Sequence, residues 1–79
     1  MRIDKYLKNS RIIKRRTVAN KACEAGRVLI NGNVAKSGTK VAVGDIVEIK
    51  FGDNTSKIKV LDIKEHLKKD EASSMYEIM

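Results

Sequence analysis

Three consecutive cations, Lys14, Arg15 and Arg16, stand just before a stretch with helical apolar spacing. Guanidinium and ammonium groups placed there lie beside the unpaired backbone amides of a helix start, a combination that suits phosphate oxygens. They belong to a wider cluster. Residues 1–27 hold Arg2, Lys5, Lys8, Arg11, Lys14, Arg15, Arg16, Lys21 and Arg27 against only Asp4 and Glu24, a local charge of +7. Residues 28–50 add +1 and residues 51–79 subtract 1, so the first third of the chain carries the whole formal excess of +7. Most charge runs end as solvated helix faces. A single-sign cluster of this size, however, repels itself until a polyanion covers it, and clustered basicity is the electrostatic footprint of a nucleic-acid binder.

Other chemistries find little support. His66 is the only histidine and has no companion ligand, and Ser10, Ser37, Ser56, Ser73 and Ser74 lack a credible base. There is no HExxH, CxxC or GxSxG and no glycine-rich phosphate loop. Asp4, Asp45 and Asp62 each have a structural place, at a helix start, a turn and a strand end. The chain is therefore read as a non-enzyme without metal or cofactor. Cys23 stands alone, which leaves neither a disulfide framework nor a thiolate metal site, and is expected to be a small buried apolar residue. Tyr6, Phe51 and Tyr76 are too few for base stacking on an aromatic sheet. The longest apolar runs are two or three residues, so no signal peptide or membrane span is expected; the membrane is not a partner, and the cytoplasm is the default location.

Seventy-nine residues leave room for one small domain to position these groups. Ile3, Tyr6 and Leu7 fall at i, i+3 and i+4, one face of a first short helix with Asp4 in its first turn; Asn9 and Ser10 break the pattern. A second helix is expected from about Arg15–Thr17 to Ala25, with Thr17 as its cap, Val18, Ala19, Ala22 and Cys23 as its apolar stripe, and Gly26 as its left-handed stop. The period then changes to two. Arg27–Ile30, the turn pair Asn31-Gly32 and Asn33–Lys36 predict a hairpin. Val47, Ile49 and Phe51 alternate with Glu48 and Lys50 as a half-buried strand, and a further alternation from Ser56 to Ile63 slips at Leu61. Residues 64–79 read as a tail, partly helical or solvated, whose apolar end could cover the domain or dock on a partner.

Four pieces in order, Arg2-Ile3-Asp4-Lys5-Tyr6-Leu7, Arg15-Arg16-Thr17-Val18-Ala19, Gly26–Gly32 and Val43-Gly44-Asp45-Ile46-Val47, resemble the S4-type RNA-binding domain. The resemblance implies an α+β fold in which two N-terminal helices pack on a small bent antiparallel sheet, here over residues 1–63, followed by the 64–79 tail. One departure is Arg15, at a position where the family often has serine. Carried over by position, Arg2, Lys5 and Lys8 of the first helix and Lys14, Arg15 and Arg16 before the second would contact RNA phosphates, with Arg11 in the same basic cluster. Lys21, Arg27 and Lys36 would extend the patch, and Asp4 would orient Arg2 or cap its helix.

The tail in addition resembles that of the stand-alone S4 factors of bacterial ribosome-associated quality control. That likeness implies a monomer bound to the obstructed large ribosomal subunit, touching large-subunit rRNA and P-site tRNA. It also implies support for alanine tailing by a partner protein, RqcH. The alternatives are a targeting module working with an RNA-modification enzyme, a general rRNA-binding heat-shock factor, and a DNA-binding helix pair; the predicted hairpin speaks against the last.

Overall fold

The computed structural model describes residues 1–64 and 74–79. Helix α1 (Ile3–Asn9) buries Ile3, Tyr6 and Leu7, the three positions that share a face, together with Asp4. It stops at Ser10, whose hydroxyl donates to the Leu7 carbonyl, and Arg11 then adopts a left-handed backbone at φ 61°. Helix α2 (Arg16–Glu24) stops as expected at Gly26, φ 75°. The Gly26 N–H donates to the Cys23 carbonyl and the Arg27 N–H to that of Ala22, the paired bonds of a Schellman turn.

The start of α2 falls within the expected Arg15–Thr17 window, but its cap is not Thr17. Arg15 is the extended N-cap residue and no side chain caps the helix, so Thr17 lies inside the first turn instead of capping it. The core anchors Ile13 on one side and Ala19 on the other, and this places the change of backbone direction before Arg16. The expected apolar stripe is also narrower. Ala19 and Cys23, one turn apart, are buried, Ala22 is partly buried, and Val18 is 49% exposed. A nine-residue helix resting on one surface buries little beyond that i, i+4 line.

Strands β1 (Val28–Ile30) and β2 (Asn33–Val34) form the expected hairpin, with Asn31 and Gly32 at φ 52° and 85°, the two positive values of a type I′ turn. Strands β3 (Ile46–Phe51), β4 (Asn54–Val60) and β5 (Tyr76–Ile78) complete an antiparallel sheet of order β2-β1-β3-β4-β5. Its inner face supplies Val28, Ile30, Val47, Ile49, Ile58 and Val60 to the core under the two helices. Phe51, expected to follow Val47 and Ile49 inward, is exposed; it pairs with Asn54 at the β3–β4 turn, where the strands have run beyond the core.

The slip at Leu61 marks the end of β4. The N–H groups of Leu61 and Asp62 both turn to the Met75 carbonyl, which also accepts the Tyr6 hydroxyl at 2.8 Å. Met75 itself is fully buried, and β5 pairs with β4 through Ile78–Ile58, Glu77–Lys59 and Tyr76–Val60. Of the apolar chain end, Met75 thus packs into the domain, while Ile78 and Met79 stay exposed. The helix considered for the tail, and His66, lie outside the described residues.

Candidate nucleic-acid interface

The beginning of α1 is stitched to the segment that precedes β3. The Ile3 N–H donates to the Thr39 carbonyl, the Val41 N–H to that of Met1, and Arg2 bridges to Lys40. This fixes Arg2 at the N-cap and turns the Asp4 side chain inward, where only 2% of it remains exposed. The carboxylate is fully engaged. Oδ1 accepts the Lys5 N–H at 2.8 Å, Oδ2 accepts Nη2 of Arg2 at 3.2 Å, and Nε of Arg16 lies 3.6 Å from the same oxygen. A buried carboxylate that lost these partners would be costly, so the pairing holds both guanidinium groups in place. Each arginine side chain remains about half exposed (50% and 49%), with donors free for an outside acceptor.

Arg2, Asp4, Arg16, Thr17, Asn20 and Lys21 line a groove of about 420 Å³ between the two helices. Positions 16, 17, 20 and 21 of α2 are related by three and four residues and share one face. The first turn of α2 holds no acid to oppose the positive end of its dipole and starts instead with Arg15 and Arg16. Cations there work against the isolated helix, and a bound anion reverses that balance.

Of the residues expected to bind RNA, the groove brings together Arg2, Arg16 and Lys21, with Asp4 and Thr17 beside them. Lys8, Arg11, Lys14, Arg15 and Arg27 are exposed outside it, and Lys5 is partly buried on α1. Lys36 stands apart at the far end of α2, where its ammonium lies 3.9 Å from Glu24 Oε2. Glu24 Oε1 accepts the Ser37 hydroxyl at 3.1 Å, so this pair ties the segment before β3 to α2. Asp4 accepts a hydrogen bond from the Arg2 guanidinium.

Its hold on Arg16 and the place of Asn20 were not foreseen. The only signal for either is the helical spacing of positions 16 and 20. Cys23 is buried beneath the groove, and burial first, then Asp4 and Glu24, push its thiol up to about 11. It is a packed residue, not a poised thiolate. Among the described residues no three His, Cys, Asp or Glu side chains gather to hold a metal, and no helix is long and apolar enough to cross a membrane.

The S4 domain family model matches residues 1–47, which contain both helices, the groove and the first hairpin. The chain belongs to the S4 domain family. Its similarity to known proteins extends over the full length. It is 54% identical over 79 residues to a Streptococcus pneumoniae protein named RQC P-site tRNA stabilizing factor, covering 100% of this chain and 90% of that one. The protein of the same name from Halalkalibacterium halodurans is 51% identical, over 99% of this chain and 89% of its own. Among solved structures, the trimeric heat shock protein 15 of Vibrio cholerae superimposes with a TM-score of 0.90 at 29% identity, covering 100% of this chain and 81% of that one.

Proposed function

We propose that this S4 domain protein is a non-catalytic factor of bacterial ribosome-associated quality control. In this reading it works in the cytoplasm on obstructed large ribosomal subunits, contacts large-subunit rRNA and P-site tRNA together, and supports alanine tailing of stalled chains by RqcH. The observation that carries the reading is the pair Arg2 and Arg16, held half exposed by one buried carboxylate at the rim of a basic groove. Near full-length relatives named for P-site tRNA stabilisation supply the biological setting. Lys21 adds a cation within the groove, and Lys5, Lys8, Arg11, Lys14, Arg15, Arg27 and Lys36 extend the phosphate contacts beyond it.

The test is a pull-down of the tagged protein with sequencing of bound RNA and identification of bound proteins. Large-subunit rRNA, tRNA and RqcH are expected together, without small-subunit proteins. Recovery of an RNA-modification enzyme in their place would move the assignment to a targeting module. Deleting the gene should abolish alanine tails, and tails of normal length in the deletion strain would end the tailing role. The protein is taken to act as a monomer. Light scattering of the purified chain tests this, since the Vibrio cholerae neighbour is trimeric.

A further inference from the structure

The Arg2 guanidinium is held in more than its edge. A Cβ built on Gly38 would lie 4.0 Å from Cζ, Nε and Nη2 of Arg2 alike. A point equally distant from three atoms of one small plane, at that range, lies over the face of the plane. The space beside Gly38, where any other residue would carry a Cβ, therefore lies over one flat side of the guanidinium, while Asp4 holds its edge at 3.2 Å. Arg2 lines the groove and Gly38 does not. The side chain stays half exposed although its edge is held.

Phosphate binding alone does not call for this arrangement. A phosphate takes hydrogen bonds from the edge of a guanidinium, whereas a fixed, uncovered face suits a flat ring. The groove holds about 420 Å³, within the range of roughly 300–1,000 Å³ usual for small-molecule sites and too little for a duplex. Its other wall presents Asn20 one turn after Arg16. A side-chain amide both donates and accepts, and the pairing that uses both at once is with N6 and N7 of adenine. RNA bases that are read individually are unstacked ones, laid on aromatic or guanidinium planes and bonded at their edges.

We propose that the groove is a base-reading pocket for one unstacked adenosine of the bound RNA, whose ring lies on the open face of Arg2 and whose edge is read by Asn20. This rests on the RNA-binding reading above and adds to it a specificity that charge does not provide. Arg16 and Lys21 hold the flanking phosphates.

The experiment measures binding of the full chain to a labelled single-stranded RNA nonamer of uridines with one central adenosine, against the same strand abasic or carrying cytidine at that position. Wild type should bind the adenosine strand about tenfold more tightly than the abasic one. Its Asn20 side-chain amide resonances should shift with the adenosine strand only. Arg2→Lys keeps the charge and loses the plane, and Asn20→Ala removes the edge reader. Each should bring the preference to within about twofold of unity while the slope of log affinity against log salt stays the same. Both variants are first checked for a wild-type melting temperature and amide spectrum. Salt-dependent binding indifferent to the central base overturns the pocket and leaves RNA binding intact. So does a preference that survives both substitutions. No binding to any of the strands beside retained binding to intact tRNA overturns the pocket alone, and no binding to either overturns the RNA-binding reading with it.

Discussion

The two ends of the molecule use charge in opposite ways. At the helix end, Asp4 is the single acid against eight cations from Arg2 to Lys21, and it is buried. On the outer face of the sheet, the register sets Glu48 opposite Lys57 and Glu77 opposite Lys59, cation against acid across neighbouring strands. Cross-strand pairs of that kind contribute roughly 0.2–1 kcal/mol each to the sheet and leave little field behind. The helix end gives up that stabilisation and keeps an uncompensated field. Charge answered within the fold serves the fold; charge left unanswered points outward, to a ligand.

The contrast is sharpest at Arg16. Arg16→Glu sets a second carboxylate beside buried Asp4 and reverses a cation of the groove, so RNA affinity should fall by about 2–3 kcal/mol in a filter-binding or fluorescence titration. Retained affinity would mean that the helix end is no different from the sheet. Asp4→Asn is the more discriminating change. It makes the protein more positive, which a purely electrostatic view expects to improve binding. Loss of the common anchor of Arg2 and Arg16 should instead weaken it several-fold, with a loss of stability of roughly 1–3 kcal/mol in urea unfolding.

Tyr6→Phe removes the bond to the Met75 carbonyl and should cost about 1 kcal/mol of stability with unchanged RNA affinity. The pH dependence has a definite sign. The Cys23 thiol is raised from 9.0 to about 11, and the Tyr6 hydroxyl upward from 10.0 by burial, Tyr76 and Asp62. Both groups ionise more readily in the unfolded chain. Stability is therefore full below about pH 9 and declines as pH rises through the thiol's folded value, and Cys23→Ala should flatten the part of that decline between pH 9 and 11. At the sheet end, Glu77→Lys should change stability by only a few tenths of a kcal/mol and leave RNA binding within twofold.

Much of this layout is legible from residue types because the signals are local. The α1 face follows from three apolar residues in one turn, the hairpin from Asn31-Gly32, and the α2 stop from Gly26; each depends on backbone geometry within a few positions. The features that were not legible depend on contacts distant in sequence. Thr17 is a good cap by type, but the burial of Ile13 and Ala19 decides where the helix begins. Val18 and Phe51 fit their periodic patterns and are exposed because the opposing surface ends before it reaches them. At the site, the basic cluster was visible as composition. The sharing of Asp4 between Arg2 and Arg16, and the seat of Arg2 on Gly38, arise only when a loop 36 residues away folds back on the first helix.

The place of Met75 bears on how this protein is made. A nascent chain that has emerged only as far as β4 has an open seat in its core, and the Tyr6 hydroxyl has no acceptor there. The core of the domain is therefore complete only once translation has passed the Met75 codon.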